Sequence, residues 1–158
     1  GGKPRPKRRF CNNDCKYNYQ RLHPNYFLAE IGERFYSEKM GTEFFLRSNL
    51  EIWFATLLEK SDEILSWSTV PFPIVYNYEN FSFRYFADFF INGKILLELK
   101  SGYIFNLQKD KTEAKLKEAN AYAHRNNLSF VYWQFNGSNM TEKKFLADER
   151  VQNFLKEI

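Results

Sequence analysis

Hydrophobic and polar positions along this chain fall into two periods, and the switches between them mark the elements. Leu50, Trp53, Phe54, Leu57 and Leu58 make one apolar stripe at helical spacing, predicting a helix from about Ser48 to Lys60. Ser48 with Glu51 three residues on is a capping-box pair that would open it. Trp67 to Tyr78 reads as a strand, with Pro71 and Pro73 favouring an edge or an irregular entry. Asn77 to Asn80 turns the chain. Phe83 to Lys100 then reads as two strands around Asn92-Gly93, a pair that tolerates the positive φ of a tight hairpin turn. Ile95, Leu96, Leu97 and Leu99 form a nearly continuous apolar run, the mark of a strand buried on both faces.

Further on, Ser101 to Gln108 reads as a loop, and Asp110 with Glu113 as a second capping box. The helix it opens is expected to run to about Asn126. Ala114, Leu116, Ala119, Tyr122 and Ala123 supply its packing face, and Lys111, Lys115 and Lys117 its charge. Leu128 to Phe135 reads as a strand and Thr141 to Ile158 as a helix. Upstream, Leu28, Ile31, Phe35 and Tyr36 recur at roughly helical spacing, so part of Tyr26 to Phe45 is expected to be helical, with Gly41 interrupting. Before Tyr26 one short helix is expected, Asp14 to Leu22. From Ser48 onward the order is helix, three strands, helix, strand, helix. It predicts an α/β fold with a central mixed sheet flanked by helices.

Composition and charge add a division. The 158 residues suit one domain with an ordinary core, and 17 Phe with 10 Tyr argue against disorder outside the tails. No apolar run approaches the roughly 18 residues of a membrane helix, and no apolar segment follows the basic N-terminus as a signal peptide would require. The expectation is a cytoplasmic protein with no membrane partner. The net charge of +4 is uneven: residues 1 to 21 carry Lys3, Arg5, Lys7, Arg8, Arg9, Lys16 and Arg21 against one Asp, or +6, leaving −2 for the rest. Residues 1–25 therefore read as a basic arm and residues 26–158 as the folded domain. Such an arm fits a polyanion such as DNA, or is a solvated tail.

The apolar hairpin carries the candidate chemistry. Asp88 lies on its first strand, and Glu98 and Lys100, two residues apart, share one face of the second. Charges in so apolar a setting are rarely buried without a partner. A divalent cation is one such partner, and Asp and Glu are hard oxygen ligands suited to magnesium or manganese. The backbone carbonyl of Leu99 is a further candidate ligand. With a cation at the carboxylates, Lys100 could orient or deprotonate an attacking water, or stabilise a phosphoryl transition state. The alternative is an edge hairpin bearing an ordinary Glu–Lys pair, worth little energetically. Glu51 is the next acid upstream, and its capping role competes with any metal role. Arg47 and Arg84 are candidate phosphate contacts by charge alone. His23 and His124 are alternative bases, although His124 on a Lys-rich helix reads as surface.

Glu51, then Asp88, then Glu98-Leu99-Lys100 resembles the PD-(D/E)XK nuclease superfamily, with Ala87 where its members usually carry Pro. The similarity covers about Arg47 to Phe135. Ser48-x-x-Glu51 on the first helix, and a Lys- and Tyr-bearing helix after the second strand, look like the transposon-end and homing-type members, and a phage type is a further alternative for the chain. The resemblance implies a restriction-endonuclease-like core and a magnesium-dependent DNA endonuclease. It implies that Asp88 and Glu98 hold the metal, that Lys100 assists the nucleophile, and that Glu51 completes or adjusts the site. Lys115 and Tyr122 would be auxiliary. Double-strand cleavage would call for a homodimer on DNA.

Cys11 and Cys15, with His23 beyond, offer three zinc-ligand types where zinc wants four. Arg8 to Tyr19 resembles the second half of a small zinc-binding module found beside some mobile-element nucleases, with its first Cys pair missing. The alternative is two free thiols on a basic arm. Two further readings of the whole chain compete: a nuclease fold that binds DNA without cutting it, and a partner-binding module with a basic tail.

Overall fold

In a computed structural model of the protein, residues 14, 15, 18, 32–102, 108–136 and 139–158 are described. The elements in chain order are β1 (Glu33–Ser37), β2 (Thr42–Leu46), α1 (Asn49–Lys60), β3 (Trp67–Ser68), β4 (Ile74–Tyr78), β5 (Phe81–Tyr85), β6 (Phe89–Ile91), β7 (Ile95–Ser101), α2 (Lys109–Arg125), β8 (Ser129–Phe135), α3 (Glu142–Leu146) and α4 (Glu149–Glu157).

Strands β3, β6, β7 and β8 form a four-stranded mixed sheet in that order. β6 and β7 pair antiparallel through the Asn92-Gly93 turn, where φ is 51° and 65° and the Lys94 amide donates to the Ile91 carbonyl at 3.1 Å. These are the backbone angles that Asn and Gly adopt most readily. β7 and β8 pair parallel, joined by the α2 crossover, with Glu98 beside Tyr132 and Lys100 beside Gln134. Two antiparallel hairpins, β1–β2 and β4–β5, stand as separate two-stranded sheets.

The two faces of the sheet bury different cores. Phe89, Ile91, Leu97, Leu99, Trp133 and Phe135 point to the α1, α3 and α4 side. There Phe54 is fully buried, with the Phe89, Trp133 and Phe154 rings at 5.1, 5.6 and 5.9 Å. Burying each such side chain stabilises the fold by about 1.5–3 kcal/mol. On the opposite face Leu96, Phe90 and Phe130 pack with Ala119 and Tyr122 of α2 and with Ile74, Tyr76 and Tyr85 of the β4–β5 hairpin. This alternation along β7 is the ordinary period of a strand buried on both sides. Among the described residues, no helix is long and apolar enough to cross a membrane.

Several expectations are corrected. The segment expected to be partly helical, Tyr26 to Phe45, contains the β1–β2 hairpin in its described part. Gly41, with φ 67°, belongs to its turn rather than interrupting a helix. The expected strand Trp67 to Tyr78 is two, β3 and β4, parted around Pro71 and Pro73, which cannot donate to a ladder. The first strand of the Phe83 to Lys100 hairpin is also two: β5 pairs with β4 and β6 with β7. The Asp110–Glu113 capping box is not formed, because α2 begins earlier, with Gln108 rather than Asp110 at the N-cap position and no side-chain cap. The C-terminal helix is two, since Asp148 caps a new start by accepting from the Arg150 amide.

Candidate active site

The break between β5 and β6 creates the site. Phe86, Ala87 and Asp88 leave both ladders but remain buried. Asp88 Oδ2 accepts the Leu99 amide at 2.8 Å, so a side chain stands where a strand neighbour would otherwise accept. The register Phe89↔Leu97, continued one step, sets Asp88 opposite Glu98. Both carboxylates then lie on the α2 face of the sheet, 6% and 5% exposed. In a strand the N–H and C=O of one residue point to the same neighbour. The Leu99 carbonyl therefore also faces the Asp88 side.

Glu98 is held from two directions. The Tyr85 hydroxyl donates to Oε2 at 2.9 Å, and the Lys115 Nζ lies 3.7 Å from Oε1. That ammonium also rests 4.6 Å from the centre of the Tyr85 ring. Lys100 follows Glu98 on the same face. Burial pulls its pKa below the ordinary 10.5, the neighbouring Lys115 charge adds to the fall, and Glu98 and Asp88 partly oppose it. Tyr132, next to Glu98 on β8, is pushed up to about 12 by burial and by the Glu98 charge. Its hydroxyl therefore stays protonated, and it donates to Gln134 Oε1 at 3.2 Å. Two acids, two lysines and two phenols thus meet at one end of the sheet.

Of the residues singled out in the sequence, Asp88, Glu98, Leu99, Lys100 and Lys115 come together. Tyr122 lies seven residues beyond Lys115 on α2, with its ring stacked on Phe72 at 5.9 Å, so it is part of the packing there. Glu51 sits in the first turn of α1, which packs on the other face of the sheet. Its amide donates to Ser48 Oγ at 3.2 Å, and its Oε2 accepts the Arg47 amide at 2.6 Å. The capping role expected of it is present, displaced by one residue from the usual box. Among the described residues, no three His, Cys, Asp or Glu side chains gather as a metal-binding group. Arg47 is half-buried. Arg84 is exposed and alternates with Tyr85, which turns it to the face of the hairpin away from Glu98.

In the arm, Cys15 is half-buried and disulfide-bonded, so zinc ligation through it would first require reduction. Cys11, His23, Lys3, Arg5, Lys7, Arg8, Arg9, Lys16 and Arg21 lie outside the described residues. Asp14 reaches α2: its Oδ2 is 3.5 Å from Lys111 Nζ, one helical turn before Lys115. Lys111 in turn sits 4.0 Å from the centre of the Phe83 ring.

Sequence reasoning missed Tyr85, Tyr132 and Gln134. Tyr85 carried a signal, since a phenol in an apolar strand needs a polar partner. The other two become neighbours of Glu98 and Lys100 only through the parallel pairing of β7 with β8. No protein-family model matches the chain, and no curated protein matches it. The functional reading therefore rests on the residues themselves.

Proposed function

We propose that this chain is a metal-dependent DNA endonuclease, hydrolysing phosphodiester bonds on a restriction-endonuclease-like core. The proposed type is homing, transposon or phage, working in the cytoplasm of a microbial or phage-infected cell. One observation carries the reading: Asp88, just before β6, and Glu98 on β7 are both buried, with Lys100 and Lys115 beside them. Burying two like charges is unfavourable unless they are compensated. A structural role alone would be met more cheaply by apolar side chains on so greasy a strand.

The donor set fits a hard divalent cation. Asp88, Glu98 and the Leu99 carbonyl supply only oxygen, and magnesium sites are commonly built from one or two carboxylates plus water and substrate phosphate. When bound there, magnesium or manganese supplies Lewis-acid polarisation of the phosphate and neutralises the charge that develops on it. Asp88 and Glu98 are the centre of the proposed site, and Glu51, which also caps α1, would complete or adjust it. Lys100, with its lowered pKa, is suited to take a proton from the attacking water at Nζ. Lys115 brings a positive charge to the leaving or non-bridging oxygens. Tyr85 fixes the Glu98 carboxylate by its hydrogen bond. The basic arm, tied near α2 through Asp14 and Lys111, would add non-specific grip on the DNA backbone that weakens with salt. A homodimer would supply the second site for cutting both strands.

A second reading, a DNA-binding protein that does not cut, is favoured by one observation. Both Glu98 oxygens are already engaged, by Tyr85 and by Lys115. A labelled duplex separates the two. The nuclease reading expects magnesium-dependent cleavage that EDTA stops, and a Lys100→Ala protein that binds the duplex as the wild type does yet fails to cut it. Binding without cleavage in the wild type at any magnesium or manganese concentration would favour the second reading.

A further inference from the structure

Glu98 is shared by two unlike neighbours. The Tyr85 hydroxyl makes a normal hydrogen bond to Oε2 at 2.9 Å. Lys115 stands 3.7 Å from Oε1, beyond hydrogen-bond length, so that contact is a charge attraction rather than a fixed donor–acceptor pair. Both side chains are well covered, at 14% exposure for Lys115 and 7% for Glu98, so water screens the pair little. Among the described residues, the formal charges facing this space are Asp88 and Glu98 against Lys100 and Lys115. They sum to zero.

A divalent cation approaching Glu98 therefore meets an ammonium already beside the same carboxylate. Like charges a few ångströms apart repel strongly in a poorly screened site. We propose that Lys115 is a resident counter-ion that competes with the divalent cation for Glu98 and moves to a substrate phosphate when the cation binds. This rests on the reading of Asp88 and Glu98 as a cation site, and adds how that site is controlled. Cation affinity is then weak without nucleic acid. It rises when a phosphodiester is present to receive Lys115, and by linkage the cation tightens nucleic-acid binding equally. Lys115 is suited to this exchange because its ammonium, on a flexible stem, lies over the Tyr85 ring, which holds it without fixing it to one oxygen.

The test is calorimetric titration of manganese into the 158-residue chain without nucleic acid. Lys115→Met, which keeps the packing over Tyr85, is expected to bind manganese about tenfold tighter than wild type, in line with removal of one nearby like charge. Lys115→Arg should bind as wild type does, and Asp88→Asn should lose binding. If Lys115→Met does not fold, Lys115→Gln takes its place. Adding an uncleavable phosphorothioate oligonucleotide should tighten manganese binding in wild type by more than in Lys115→Met. Unchanged or weaker affinity in the Lys115 variants, with binding still lost in Asp88→Asn, overturns the counter-ion role and leaves the cation site standing. Absence of manganese binding in every protein, with and without oligonucleotide, overturns the cation site and the inference together.

Discussion

Glu59 on α1 and Glu98 on β7 are both drawn inward, and the fold answers their charges in different ways. Glu59 Oε1 accepts from the Ser37 hydroxyl and from the Trp67 indole at 2.7 Å, and Oε2 accepts the Lys39 amide at 3.3 Å. The Lys39 ammonium donates to the carbonyls of Leu58, Ser61 and Ile64, each at 2.7 Å, and so closes the C-terminal end of α1. Here neutral dipoles answer most of the charge, and among the described residues every partner is local to the β1–β2 hairpin, α1 and β3. At Glu98 the partners are mainly other ionisable groups, Lys115 and Tyr85, with Asp88 and Lys100 alongside. A charge held by dipoles serves as a fastener. A charge held by other charges can be handed to a substrate or an ion.

The largest effect that separates the two regions is on activity. Asp88→Asn or Glu98→Gln should lower cleavage by about a hundredfold or more, the scale of losing one preorganised electrostatic group. The cost in thermal stability should be the smaller effect, because the substitution keeps shape, although it leaves Lys100 and Lys115 facing one acid fewer. Glu59→Ala should do the reverse. It strips acceptors from Ser37, from the buried Trp67 indole and from the Lys39 amide, and leaving such a donor unmet costs about 1–3 kcal/mol. Denaturant melts should show that loss, while cleavage per folded molecule is unchanged. A Glu59→Ala protein of wild-type stability would erase the distinction.

Smaller effects concern pH. Burial pushes Glu59 up, but the Ser37 and Trp67 hydrogen bonds, the Lys39 amide and the Lys39 charge outweigh it, and the net pKa is below 4.5. A folded pKa below the unfolded one adds stability that is present above pH 4.5 and lost as pH falls through the lowered folded value. The stability gap between wild type and Glu59→Ala should therefore narrow in acid. Lys100 works through rate instead. With its pKa below 10.5, cleavage should rise with pH and level off before the pH at which a free lysine titrates. A rate that does not depend on pH across that range would remove Lys100 as the base.

How much of this was legible in the sequence depends on how local each signal is. The α1 stripe with Ser48 placed that helix at Asn49–Lys60, and Asn92-Gly93 located the β6–β7 turn, because both are short-range preferences. Strand alternation put Glu98 and Lys100 on one face. Helix α2 then brought Lys115 to them, as its position after the second strand allowed. Glu51 carried the same capping signal whether or not it served a metal, and only its contacts with Arg47 and Ser48 fix its use. Phe35 and Tyr36 fit helical spacing as well as a strand, so periodicity alone does not separate a helix from the β1–β2 hairpin. The break at Phe86 to Asp88 carries no Gly or Pro and sits in a run rich in aromatics, so it shows only in the pairing of β5 with β4 and of β6 with β7. Tyr132 and Gln134 needed the β7–β8 register, which no local pattern encodes.

The central claim is that Asp88 and Glu98 act together, through a divalent ion, to cut DNA. Its most direct test is nicking and linearisation of supercoiled plasmid by wild type and by Asp88→Asn, each in magnesium and in EDTA. The account predicts cleavage only by wild type and only in magnesium. Equal cleavage by Asp88→Asn, or by wild type in EDTA, would contradict it.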